Sequence, residues 1–155
     1  MPYHLAQINI GRLIAPIDDP RIAGFVVQLG PINALADKAP GFVWRLQSAS
    51  DNATDIAYSE DDPFVMLNMS VWESVETLRA FTYSSRHAQV FRERARWFEK
   101  LTAPYSCLWW VREGHIPTVA EARERLEHYQ KHGATPYSFW FSQLFPAPAE
   151  DAAGA

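Results

Sequence analysis

One segment, residues 64–72, constrains the fold of this chain more than any other. Successive side chains of a strand point to opposite faces, and both faces of this segment are largely apolar. One face carries Val65, Leu67, Met69 and Val71, and the other carries Phe64, Met66, Asn68, Ser70 and Trp72. A strand of this kind lies inside a sheet and is covered on both sides.

Hydrophobic periodicity predicts further strands on either side of this segment. They cover residues 3–13, 42–47, 105–112 and 137–145. Residues 48–63 are polar and acidic, and we expect a solvated connection there.

Helices are predicted between the strands. Asp19 followed by Pro20 predicts a helix start, and Gly30-Pro31 predicts a bend before a second helical piece, residues 32–38. Ser74 is expected to cap the next helix, and Ser84-Ser85 to separate it from another. A capping box from Thr118 predicts a last helix that ends near residue 132.

The first four strands and their helices form a β-α-β-β-α-β order, which predicts an α+β, ferredoxin-like sheet with helices on one face. A C-terminal helix and strand follow. Residues 1–145 are predicted to be a single domain, and residues 146–155 a disordered tail. The second sheet face would be bare in a monomer. Met69, Val71 and one of Trp109 and Trp110 lie on it and form a patch too apolar to be left in water, so we expect a homodimer that covers it.

Composition excludes several classes of protein. The chain has 155 residues with a single cysteine, Cys107, so neither an internal disulfide nor a cysteine-rich metal site is possible. Its 14 basic and 18 acidic residues give a net charge of −4, which disfavours a nucleic-acid partner. No apolar run is long enough to span a membrane, and the first residues do not resemble a signal peptide, so a cytoplasmic location is expected.

His87 is the first candidate for chemistry, because imidazole serves as a base near neutral pH or as a metal ligand. The alternative is a buried histidine bonded to a backbone carbonyl or to Tyr83. Asn9 and Asn68, with the nearby Gln7, could orient a substrate carbonyl or stabilise an enolate. Their alternative is sheet polarity satisfied by water or by a partner.

A second group of residues is predicted to form an apolar pocket, since ligand sites are lined mostly by aromatic side chains. The predicted lining consists of Trp44, Trp72, Trp97, Tyr83, Phe91 and Asn33. Ordinary core and dimer contacts explain the tryptophans equally well, and a capping role explains Asn33.

At this point the sequence resembles a known superfamily, the dimeric α/β barrels that include antibiotic-biosynthesis and heme-degrading monooxygenases. The resemblance lies in the stretches 67–74 and 78–81, in Ser84-Ser85-Arg86-His87 and in Pro40-Gly41-Phe42. The C-terminal part, with Trp109-Trp110 and Pro117-Thr118, is similar to a bacterial branch of this superfamily. The heme-degrading triad of Asn, Trp and His is not carried over, because the Trp and His positions fall on Phe81 and Phe91.

The resemblance implies a homodimeric enzyme that oxidises or rearranges a polyketide-like or aromatic metabolite without a cofactor. His87 would act as the base, and Asn9 or Asn68 would orient the substrate. One alternative is a heme-binding protein with His87 as the axial ligand. Another is a non-catalytic module that binds small molecules or serves in a stress response.

Overall fold

The structure is a computed structural model that describes residues 3–47, 56–83 and 92–148. Its strands are β1 (Tyr3–Arg12), β2 (Phe42–Arg45), β3 (Val65–Trp72) and β4 (Ser106–Arg112). Its α-helices are α1 (Ala23–Asp37), α2 (Val75–Thr82) and α3 (Val119–His132), with short 3₁₀ helices at Pro20–Ile22 and Arg94–Arg96.

The strands form one antiparallel sheet in the order β2-β3-β1-β4. This topology confirms the predicted α+β, ferredoxin-like fold. β3 lies inside the sheet, as its two apolar faces predicted. The register places Asn9 of β1 opposite Asn68 of β3 and opposite Ser106 of β4.

One face of the sheet packs against α1 and α2. Leu5 and Trp72 are buried there with Ala36 of α1 and Leu78 of α2. The connections β1-α1-β2 and β3-α2-β4 place both helices on this face, which is the arrangement that the sequence predicted.

The opposite sheet face is covered by α3, so the expectation of a bare face that needs a second copy is wrong. Met69 and Trp109 are fully buried there, in one cluster with Ala122 and Leu126 of α3. Helix α3 is amphipathic, and it returns to the sheet because an apolar stripe at helical spacing is buried most simply against the nearest apolar face.

The predicted C-terminal strand, residues 137–145, is not a strand in the structure. Phe139 makes a single bridge to Leu108, with N–O distances of 2.7 and 3.0 Å, and turns on either side stop the pairing. Phe139, Trp140, Phe141 and Phe145 join the helix-side core instead, whereas Tyr137 packs against His128 of α3. Trp110 also belongs to that side, and its Nε1 donates to the carbonyl of Phe145. Both Trp109 and Trp110 are therefore used within one chain.

The sequence predicted the capping residues of the helices better than it predicted the course of the helices between them. Ser74 caps α2 through a reciprocal box with Thr77. Thr118 caps α3, whereas Glu121 accepts from Trp109 Nε1 and so does not close the predicted box. Helix α1 continues through Pro31 as one helix rather than two pieces.

The helix predicted after Ser84-Ser85 lies largely outside the described residues. Its described end is the 3₁₀ turn Arg94–Arg96, which closes at Trp97 with helical backbone angles, and the next residue, Phe98, bridges to Leu13. None of the helices in the described ranges is long and apolar enough to cross a lipid bilayer.

Candidate functional site

A cavity of about 250 Å³ lies between the sheet and the helices. The floor of the cavity consists of helix-facing side chains of β1 and β3. Its walls come from α1, α2, the segment around residues 94–98 and the C-terminal segment. Residues that line it include Gln7, Asn9, Phe25, Asn33, Arg45, Asn68, Ser70, Trp72, Phe81, Arg94, Trp97 and Trp140.

The floor carries a network of amide and hydroxyl groups, because the register of β1 and β3 brings their polar positions together. Gln7 Nε2 donates to Asn68 Oδ1 at 2.7 Å and to Ser70 Oγ at 2.8 Å. Asn9 Nδ2 donates to Gln7 Oε1 at 3.1 Å and to Asn68 Oδ1 at 3.2 Å. Trp72 Nε1 completes the network with a 2.8 Å bond to Ser70 Oγ.

Three groups of this network make no further bond among the described residues: the Asn68 amide nitrogen, the Asn9 amide oxygen and the Ser70 hydroxyl hydrogen. Among the described residues, no partner bonds to Asn68 Nδ2 or to Asn9 Oδ1. The two asparagines face each other across neighbouring strands, and both line the cavity. They therefore form a pair that can bind a hydroxyl group at two points, whereas a carbonyl oxygen would accept from Asn68 Nδ2 alone.

Aromatic rings form the walls beside this polar strip. Phe81 stacks on Trp72 with ring centroids 5.2 Å apart, and Phe25 contacts Trp97 at 5.8 Å. Trp72 and Trp97 are almost fully buried. Flat rings on both sides of a cavity favour a planar apolar ligand.

A β-bulge decides which side chain of β2 reaches the cavity. Phe42 pairs with Trp72, but the register shifts before Trp44, which then pairs with Val71 on the opposite face. Trp44 packs against the core under α3 and does not line the cavity, which corrects the sequence prediction. The same shift turns Arg45 towards the cavity, beside Ser70.

Arg45 is the functional candidate that sequence reasoning missed. The residue is 5% exposed, and its Nε lies 2.8 Å from Oδ1 of Asp37 at the end of α1. A charged residue in a short strand is usually a solvent-facing position, so alternation alone gave no signal. The β-bulge reverses which side chains of β2 face the cavity, and the sequence pattern does not indicate a bulge.

The other predicted site residues are placed as follows. Asn9, Asn68, Trp72, Trp97 and Asn33 line the cavity. Tyr83 is 66% exposed and contacts Phe141, and it does not line the cavity. His87 and Phe91 lie outside the described residues, so their roles stay predictions.

Cys107 lies on the face under α3, away from the cavity. Burial raises the pKa of its thiol to about 12, so the group stays protonated at neutral pH. Its placement agrees with the interpretation of Cys107 as a small buried residue.

The fold and the cavity together define a ferredoxin-like α+β protein with a cavity between helices and sheet. Residues 4–154 match the family described as a domain of unknown function (DUF3291), and the chain belongs to this family. None of the curated proteins matches the chain.

A solved structure shows the same fold at low sequence identity. A conserved protein from Methanosarcina mazei Go1 matches with a TM-score of 0.51 and 10% identity, over 72% of this chain and 93% of that one. SnoaB, a cofactor-independent oxygenase from Streptomyces nogalater, matches with a TM-score of 0.47 and 12% identity, over 75% of this chain and 97% of that one.

Proposed function

We propose that this chain is a small-molecule enzyme of the cofactor-independent monooxygenase type, acting on a polyketide-like or aromatic metabolite. The observation that carries the proposal is the amide pair Asn9–Asn68 at the floor of an aromatic-walled cavity. The Asn68 Nδ2 donor, held in place by the bonds that its Oδ1 accepts, can stabilise a substrate oxygen while its negative charge grows. The resemblance of the sequence to antibiotic-biosynthesis monooxygenases supports the same class.

The reaction of this class balances without an organic cofactor when the substrate supplies the electrons. An activated methylene of a phenolic polycycle reacts with dioxygen, and the products are a carbonyl group and water. A base removes a proton from the substrate, and the resulting enolate or phenolate gives its electrons to dioxygen. Asn68 Nδ2 would stabilise the oxyanion, and His87 is proposed as the base.

Oxygen uptake with 1,8-dihydroxyanthrone tests the proposal. We expect one dioxygen consumed for each anthrone, with the anthraquinone as product, at a rate above spontaneous oxidation in buffer. A rate equal to that of the heat-denatured protein would contradict an oxygenase function.

Two pairs of variants separate the site from the rest of the chain. Trp97→Phe alters the cavity wall and is expected to lower the rate, whereas Trp44→Phe changes a tryptophan of the opposite face and is expected to keep it. His87→Ala is expected to remove most of the rate, with His132→Ala on the exposed end of α3 as its control. Equal effects within either pair would contradict the assigned roles.

The two alternatives have their own readouts. Saturable quenching of tryptophan fluorescence by the anthraquinone without any turnover would favour a non-catalytic binding module. A Soret band after hemin titration, lost in His87→Ala, would favour the heme protein.

A further inference from the structure

Ser70, on the polar floor of the cavity, uses both of its acceptor positions within the chain. Gln7 Nε2 and Trp72 Nε1 each donate to Ser70 Oγ at 2.8 Å. A hydroxyl group accepts two hydrogen bonds and donates one, so these two bonds leave only its hydrogen. Neither nitrogen can accept that hydrogen in return, because an amide NH₂ group and an indole N–H are donors only. Ser70 is therefore restricted to the role of a donor.

The hydrogen of this hydroxyl group lacks an acceptor in the part of the chain that the structure describes. Ser70 is only 6% exposed, and it lines the cavity. A buried donor without an acceptor costs free energy, whereas a ligand atom that accepts the bond removes this cost. A ligand that fills the cavity must therefore accept from Ser70 or leave a buried donor unpaired.

The Ser70 donor lies close to the amide pair Asn9–Asn68. Gln7 Nε2 bridges Ser70 Oγ and Asn68 Oδ1 with bonds of 2.8 and 2.7 Å, so these two oxygens are at most 5.5 Å apart. A ligand of two fused rings is large enough to reach both places. The floor thus offers one donor that stands alone and, beside it, a donor and an acceptor that together bind a hydroxyl group.

We infer that Ser70 determines which ligand this cavity selects: it donates to a carbonyl oxygen of the planar molecule whose hydroxyl group binds Asn9 and Asn68. This inference rests on the proposed function, since it concerns the substrate of the same cavity. A carbonyl oxygen suits Ser70 better than a second hydroxyl group does, because a hydroxyl group brings a hydrogen that needs a further acceptor. The ligand class is therefore a neutral aromatic ketone that carries a phenolic hydroxyl group.

Two ligands of similar shape test the inference by calorimetric titration: 7-hydroxy-1-tetralone and 5,6,7,8-tetrahydro-2-naphthol. Both have the same two fused rings and the same phenolic hydroxyl group, and only the tetralone has a carbonyl group. We expect the tetralone to bind about tenfold more tightly, because the naphthol would bury the hydrogen of Ser70 without an acceptor.

Serine variants locate the preference. Ser70→Ala is expected to reduce the ratio of tetralone to naphthol affinity to about one, and Ser70→Cys, whose thiol is a weaker donor, to retain part of it. Ser138→Ala is the matched control, because Ser138 is also buried but does not line the cavity, and it should keep the wild-type ratio. A general loss of stability weakens the binding of both ligands alike, so the ratio reports the contact with Ser70.

Each outcome supports or overturns the inference. Equal or tighter binding of the naphthol to the wild-type protein overturns it, and so does binding of neither compound. An undiminished preference in folded Ser70→Ala or Ser70→Cys protein also overturns it. If the alanine variant does not fold, the cysteine variant and the wild-type comparison still decide.

Oxygen uptake with the anthrone decides the proposed function separately. A preference for the tetralone that depends on Ser70, in a protein that consumes no dioxygen, supports the inference and counts against the oxygenase. Dioxygen consumption without such a preference supports the oxygenase and overturns the role of Ser70.

Discussion

At the scale of single residues, the cavity floor is organised by hydrogen bonds between side chains of two strands. Gln7 is almost fully buried, and both of its amide hydrogens are used, on Asn68 and Ser70. Buried polar groups need partners of this kind, since an unpaired one costs stability. The Oδ1 of Asn68 therefore serves the purpose of pairing Gln7 and Asn9, and the purpose proposed for its Nδ2 is to donate to a ligand.

Two substitutions of Asn68 separate these purposes. Asn68→Ala removes the acceptor of Gln7 and Asn9, and we expect a loss of about 1–2 kcal/mol in the free energy of unfolding. Asn68→Asp keeps an acceptor oxygen and is expected to be more stable than the alanine variant, yet both variants should bind the anthraquinone product more weakly. Urea unfolding and fluorescence titration measure the two effects. Wild-type affinity in Asn68→Asp would show that Nδ2 is not the ligand donor.

The thiol of Cys107 and the phenol of Tyr58, which pack under α3, predict how the free energy of unfolding depends on pH. Burial raises the pKa of Cys107 from 9.0 to about 12 and contributes to a rise in that of Tyr58 from 10.0 to about 12. Because the folded state holds these protons more tightly, their stabilising contribution is complete below pH 9 and is lost as the pH rises towards 12. We expect the urea midpoint to fall over this range, and to fall less in Cys107→Ala. A pH-independent midpoint between 9 and 11.5 would contradict the burial of these groups.

At the scale of elements, the turn between α1 and β2 packs against the start of α2. Gly41 has a φ of +80°, and a Cβ there would lie 2.4 Å from Cβ of Thr77. Thr77 is the residue that closes the capping box with Ser74 at the start of α2. The chain therefore needs glycine at this turn for two reasons, its backbone conformation and the space beside it.

Comparing two glycines separates these reasons. Gly114 also has a positive φ, +92°, but nothing lies within 4 Å of a Cβ built there. We expect Gly114→Ala to cost about 1–2 kcal/mol from backbone strain alone. Gly41→Ala should cost about 1–3 kcal/mol more, because Thr77 and the α2 cap must move. Thermal or urea unfolding gives both values, and equal losses would mean that the turn yields without disturbing α2.

At the scale of the whole molecule, the sheet is covered on both faces by one chain. Helices α1 and α2 cover the cavity on one face, and α3 packs against the hydrophobic core on the other. The sheet face therefore gives no reason for dimer formation in this structure. The homodimer stays a prediction, and native mass spectrometry tests it.

The sealing role of α3 predicts a large effect from its central leucine. Leu126 is fully buried against the sheet, so Leu126→Ala should cost about 2–5 kcal/mol in the free energy of unfolding. Leu144→Ala is the control, since Leu144 is 41% exposed and the expected change is about 0.5 kcal/mol or less. A small loss in Leu126→Ala would show that α3 is not part of the folding core.

The sequence predicted much of the fold but only part of the site. The two apolar faces of β3 predicted an inner strand, and the positions of Asn9 and Asn68 in their strands predicted polar groups on neighbouring strands. Arg45 could not be predicted, because alternation along β2 holds only while the register is regular. The strand predicted over residues 137–145 was wrong for a related reason. Aromatic residues favour strands, but turns on either side of Phe139 limit its pairing with β4 to one bridge.

By itself, the sequence determined the order of the elements, the helix caps at Ser74 and Thr118, and the amide positions of the cavity floor. These features depend on neighbouring residues and on fixed periods of side-chain direction, which are local properties of a chain. The tertiary structure alone decided that α3 covers the second sheet face and that Arg45 replaces Trp44 at the cavity. Both outcomes depend on which distant surfaces meet and in which register, and no local pattern encodes either of these.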